Sequence, residues 1–340
     1  MKDFLKLSFF LILSSSVCIA GCTWVDKNKN NPEDILGKPP FAGLTDSIKR
    51  FPGEASLYFR RAEILSQNNL HEIANQDYKK SWDLKPDIQT ALRYSSNLSV
   101  LGREKEAIGL LNDCIRQFPE EAEFKRLLGE AYIQSGNTKK AIGLYDSILQ
   151  KDSLNFEAWF EKGKLLALAK DTIAAIASFK KAYSLQPVNT YALELAHLYA
   201  ETKNDYALTI CDEVLRKDLA HELVDPFFIK GIYYSNTAQY ESAVIQYDSC
   251  IRRDWKFSEA YIEKGIAFFK QKNYDGALNV FRMAATVSNT DPDAYYWIGR
   301  CYEAVKKNGQ AAEYYQRAVE LDKDFPEARE ALKRVVKLNG

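Results

Sequence analysis

Glycine and proline are scarce in this chain, 16 and 10 among 340 residues, and most of them sit between periodic segments. No run of alternating β-branched residues is closed by an Asn-Gly or Asp-Gly turn, which excludes a sheet built from hairpins. The chain reads as all-α. An excess of either charge is also missing: 46 basic residues balance 46 acidic ones, so the electrostatic footprint of a nucleic-acid binder is absent. Cysteine forms no framework. Cys18 and Cys22 lie in the leader, and Cys114, Cys211, Cys250 and Cys301 are far apart with no Cys-x-x-Cys. The three histidines, His71, His197 and His221, are scattered as well, so no zinc or other metal site is expected. The four later cysteines read as small buried hydrophobes.

Catalytic signatures are missing too. No G-x-S-x-G, H-E-x-x-H, phosphate loop or dinucleotide fingerprint occurs, so no catalytic residue and no cofactor is expected. Carboxylates are plentiful, but Glu123, Glu157, Asp225, Glu259 and Asp293 fall where helices start. There the macrodipole favours an acid without any chemistry.

The first segment with a clear pattern is the N-terminus. A charged start, Met1–Lys6, is followed by an apolar run through Leu7–Leu13 and then Ser14–Cys22. That run is shorter than the about 20 apolar residues a membrane-spanning helix needs, and it suits a secretory leader. Its end, Ile19-Ala20-Gly21-Cys22, resembles the bacterial lipoprotein signal box. The resemblance implies cleavage before Cys22 and acylation of that residue, which ties the chain to a membrane. Two or more acyl chains matter physically, because one alone holds only marginally. Thr23 in place of Asp after the acylated position implies outer-membrane sorting, facing the periplasm or the cell surface. Residues 1–21 are thus read as a signal peptide. Residues 22–40, polar, Asn-rich and closed by Pro39-Pro40, are read as a flexible tether.

What fills the rest is a repeat of 34 residues. With Gly299 at its eighth place, Tyr302 is eleventh, Ala311 twentieth, Tyr315 twenty-fourth and Ala318 twenty-seventh. Stepping back gives Gly265, Phe268, Ala277, Phe281 and Ala284, then Gly231, Tyr234, Ala243, Tyr247 and Cys250. A unit one residue shorter carries Ala196, Tyr199, Ala207, Cys211 and Val214, and two extra residues around His221–Val224 restore the register. Earlier units place Gly163, Gly129, Ser95 and Ala62 eighth, and Ala175, Ala141, Ala107 and Ala74 twentieth. Small residues at both places let paired helices cross closely, and the large residue at the twenty-fourth fills space between neighbours.

These residues resemble the tetratricopeptide repeat over 55–325, eight units in all. The resemblance implies an α-solenoid, a right-handed superhelix of helical hairpins. Residues 41–54 look like a degenerate half-unit. Residues 326–340 are read as a capping helix, with Ala328, Ala331, Leu332 and Val335 on one stripe and Glu327, Glu330, Arg334 and Lys337 on a polar outside.

The resemblance also implies binding of proteins or peptides along the first helices, at places two, five, nine, twelve and thirteen. The Lys and Asn clamp that chaperone-binding members use for a C-terminal carboxylate is absent here. The candidate groove residues are Phe160, Lys164, Phe228, Ile232, Ile262, Ile266, Phe269, Tyr296 and Arg300, while Tyr295, Tyr302 and Tyr315 are assigned to the core. An apolar strip of this kind marks an interaction surface. The leading expectation is a lipid-anchored envelope scaffold that binds other envelope proteins, without catalysis. The alternative is a glycan or cell-wall ligand-binding lipoprotein that stacks sugars on the groove aromatics.

Overall fold

A computed structural model describes residues 32–339; the expected signal peptide, Cys22 and the start of the expected tether lie outside the described residues. Among the described residues there are nineteen helices and no strand. Helix α1 (Pro32–Leu36) and helix α2 (Ala42–Arg50) come first. Four hairpins follow: α3 (Ala55–Gln67) with α4 (His71–Leu84), α5 (Ile88–Val100) with α6 (Glu104–Gln117), α7 (Ala122–Gln134) with α8 (Thr138–Lys151), and α9 (Phe156–Leu168) with α10 (Thr172–Leu185). Four more are α11 (Asn189–Glu201) with α12 (Tyr206–Lys217), α13 (Asp225–Asn236) with α14 (Tyr240–Arg253), α15 (Ser258–Lys270) with α16 (Tyr274–Val287), and α17 (Pro292–Ala304) with α18 (Asn308–Leu321). Helix α19 (Pro326–Asn339) closes the chain. The fold is an α-solenoid of such hairpins.

The hairpins are held by a contact that repeats from unit to unit. The glycine at the eighth place lies under the ring at the twenty-fourth place of its own hairpin. A methyl group on Gly299 would stand 2.7 Å from the Tyr315 ring, and one on Gly163 would stand 2.7 Å from Phe179. Gly231 against Tyr247 and Gly265 against Phe281 are closer still. The ring therefore fills the space over its own partner helix, rather than only the gap to a neighbouring unit that the spacing suggests. Two of the three units without this glycine carry a smaller partner: Ser95 faces the place of Leu111, and Ala196 that of Cys211. The alanines at the twentieth place, Ala74 through Ala311, are buried throughout.

A second repeating device closes each first helix. The residue at the fifteenth place takes the left-handed conformation in all eight units: Asn69, Gly102, Gly136, Lys170, Lys203, Ala238, Lys272 and Lys306. In seven of them the next N–H donates back to the carbonyl at the eleventh place over 2.7–3.0 Å, as from Asn137 to Tyr132 or Asn273 to Phe268. This six-to-one bond ends the helix and aims the chain into the second one.

Two compact units are distinguished, one ending at Ser153 and including Lys164–Lys170, the other formed by Leu154–Gly163 and Asp171 onward. The core of the first is built on Leu65, Tyr78, Leu98, Leu111 and Phe124. The end of the expected tether belongs to it: residues 32–40 are a short helix and a turn, with Ile35 and Leu36 packed on that core and Thr45 Oγ1 donating to the Leu36 carbonyl over 2.8 Å. Burial of apolar Ile35 and Leu36 offsets the entropy lost in ordering this short segment. The second unit ends in a cluster of Phe281, Trp297, Ile298, Tyr302 and Tyr315, on which α19 seats Ala328, Ala331 and Val335.

Candidate functional site

On the first helices of the second unit, Phe160, Phe228, Ile232, Ile262, Ile266 and Phe269 are half-buried. Their rings are already engaged by neighbours. Phe160 lies 4.4 Å from the Tyr191 ring and 5.4 Å from Phe179, while Phe228 lies 5.0 Å from Phe257. Lys164 is half-buried on α9. In the first unit the corresponding face of α7 is charged instead: Arg126 forks onto Glu123 and also meets Glu130, which holds the Glu123 carboxyl below its usual range.

Three of the expected groove residues, Phe269, Tyr296 and Arg300, converge at one place. With Glu303, Ala304, Glu327, Glu330 and Arg334 they line a cavity of about 450 Å³ between α15, α17 and α19. Tyr296 is 7% exposed, so it is a wall of this cavity and part of the core rather than an open groove residue. Its ring packs on Tyr315 and Phe325, a result of the capping helix following so closely. Tyr295, expected in the core, is half-buried and packs against the last core cluster, with its hydroxyl donating to the Asn289 carbonyl. The Arg300 guanidinium stands over three rings, 5.5 Å from Phe269, 5.4 Å from Trp297 and 5.8 Å from Tyr296, and donates to the Tyr296 hydroxyl over 3.0 Å.

Glu303, by contrast, is fully engaged. Arg334 donates to it twice, over 2.7 and 2.9 Å, and the Tyr315 hydroxyl donates over 2.6 Å. Burial works to raise its carboxyl, but these donors outweigh it and hold the group below its ordinary value. Sequence reasoning does not find Glu303, Glu327, Glu330 and Arg334 as site residues. The pattern assigns the charged side of α19 to the polar outside, whereas part of it faces the last hairpin across this cavity. The available signal is the sequence distance: α19 starts too soon after α18 to avoid it.

The remaining chemistry is sparse. Cys114, Cys211, Cys250 and Cys301 are free and buried, and burial pushes each thiol up to about 12. No group of three or more potential metal ligands exists among the described residues. Nor, among them, is any helix long and apolar enough to cross a membrane. Burial lowers the His197 pKa and raises that of Glu201 one turn on, an arrangement that leaves both nearer neutrality.

Tetratricopeptide repeat family models match residues 101–161, 140–190 and 268–335. The chain is a tetratricopeptide-repeat protein. This repeat protein is 24% identical over 83% of its length to a DnaJ homolog subfamily C member 7 homolog of Schizosaccharomyces pombe, covering 59% of that protein. Among solved structures it is similar to a tetratricopeptide repeat protein from Parabacteroides merdae, with a TM-score of 0.62, 17% identity and coverage of 73% of this chain and 98% of that one. It is also similar to PilW, described as a type IV pilus biogenesis factor, with a TM-score of 0.54, 17% identity and coverage of 63% and 98%. The repeat protein spans between 19% and 59% of the length of the curated relatives it matches. Members of the family are in general non-catalytic and bind other proteins.

Proposed function

We propose that this protein is a lipid-anchored scaffold of the bacterial envelope that binds partner proteins along the first helices of its repeats. The observation that carries the binding part is the set of half-buried apolar residues on those helices, Phe228, Ile232, Ile262 and Ile266, together with the cavity that Phe269 and Arg300 line. Water-exposed apolar surface is stabilised by covering it. The anchoring part rests on the leader and Cys22 alone. Stacking of glycans is the weaker reading, since the Phe160 and Phe228 rings already contact neighbouring rings.

Two experiments test the parts separately. Feeding cells an alkyne-bearing fatty acid should label the wild-type protein, and Cys22→Ser should abolish the label; a labelled Cys22→Ser protein sinks the anchor. Affinity purification from solubilised envelopes should recover the same proteins reproducibly. Recovery of none contradicts the scaffold.

A further inference from the structure

The cavity between α17 and α19 has an unusual set of charges for a place where two helices meet. Arg300 is half-buried among three rings, its guanidinium 5.4–5.8 Å from their centroids, and it donates a hydrogen bond to a neutral acceptor, the Tyr296 hydroxyl. Among the described residues it makes no direct ion pair: Glu303, the nearest acid on its own helix, feels the Arg300 charge but is hydrogen-bonded by Arg334 and Tyr315. Across the cavity, Glu327 and Glu330 lie one turn apart on α19, both exposed and neither in an ion pair among the described residues. Arg334 and Glu303 neutralise each other. What remains open is one positive group above an aromatic floor and two negative groups on the facing wall. The rings fix the guanidinium in place, so a ligand that meets it loses little by ordering it.

Resting on the scaffold reading above, we infer that this cavity anchors an internal segment of a partner protein that carries an acidic and a basic side chain close together. The acid pairs with the open edge of Arg300, the base lies between Glu327 and Glu330, and the apolar stem of the basic residue covers Phe269. A segment with only one of these charges leaves the opposite group of the cavity desolvated and unpaired, which costs affinity. A volume of about 450 Å³ accommodates two such side chains.

The test uses the full acylated chain in detergent and short fluorescent peptides, acetylated and amidated so that terminal charges are absent. Their centres are Asp-Leu-Lys, Asp-Leu-Ala, Ala-Leu-Lys or Ala-Leu-Ala. The first should bind about tenfold more tightly than either singly charged peptide, the ratio expected when one charge-assisted hydrogen bond is removed. Arg300→Gln should remove the advantage of Asp and leave that of Lys; Glu327→Gln with Glu330→Gln should do the reverse. Arg300→Lys, which keeps the charge but not the planar fork, should recover part of the Asp effect and controls for folding. Equal binding of the four peptides, or indifference to these substitutions, overturns the inference. If envelope partners are still recovered with Arg300→Gln, the scaffold reading stands and the anchor assignment falls.

Discussion

At the scale of single residues, the glycines at the eighth place reverse the usual rule for helices. Alanine normally stabilises a helix interior over glycine by about 0.5–1 kcal/mol. At Gly109 or Gly143, where an added methyl meets nothing within 4 Å, Gly→Ala should raise the melting temperature. At Gly265 the methyl would enter the fully buried Phe281 ring, so Gly265→Ala should cost about 1–3 kcal/mol instead. Adding Phe281→Leu should return part of that loss, as the native Ser95 and Leu111 pairing suggests. Thermal melts of the four variants check the sign at each site. Ala238, left-handed at φ 59°, offers the opposite case: Ala238→Gly should stabilise by about 0.5–1 kcal/mol.

Glu263 is a residue whose behaviour depends on pH. It sits on α15 where Trp297 and Ile229 occupy the equivalent place of other units, and burial first, then the Asp293 charge, raises its pKa from 4.5 to about 7. The Tyr247 hydroxyl of the preceding hairpin feels its charge as well. The fold favours the protonated acid, so this contribution is complete below pH 4.5 and is lost as the pH rises through 7. Urea unfolding from pH 4 to 8 should show that loss, and Glu263→Gln should flatten it. A profile unchanged by Glu263→Gln contradicts the assignment.

At the scale of elements, helix α19 is a cap that also forms a wall. Its buried Ala328, Ala331 and Val335 cover Tyr315 and Ala318, and Arg334 fastens it to Glu303. Ending the chain at Phe325 should therefore cost about 3–5 kcal/mol and open the cavity around Arg300, visible as a lower melting temperature and faster hydrogen exchange in α17 and α18. Much of this element was legible: the stripe and its start at Pro326 stand in the sequence, because a period of 3.6 reports burial on one side. Which neighbour faces the charged side was not legible. Charges carry no period, and Glu327 reads the same whether it points to water or across a cavity.

At the scale of the whole molecule, the repeat made the hairpins readable because the same sterics recur, small residue under ring, in unit after unit. The left-handed fifteenth place was readable only at Asn69, Gly102 and Gly136; four lysines and an alanine accept the same conformation and hide it. The buried pair of Arg61 with Asp77, at 2.6 Å, also escaped, since it is particular to one hairpin and repeats nowhere. Periodicity cannot reveal a pair that occurs once. The proposed docking of partners on the first helices is the central claim at this scale. Photo-crosslinking in intact envelopes tests it most directly, with benzoyl-phenylalanine placed at Ile266 on α15 or at Ile173 on α10, a second helix, where the native side chain is 86% exposed. Discrete crosslinked partners are predicted from Ile266 and none from Ile173; the same partners from both positions, or partners from Ile173 alone, would contradict docking on the first helices.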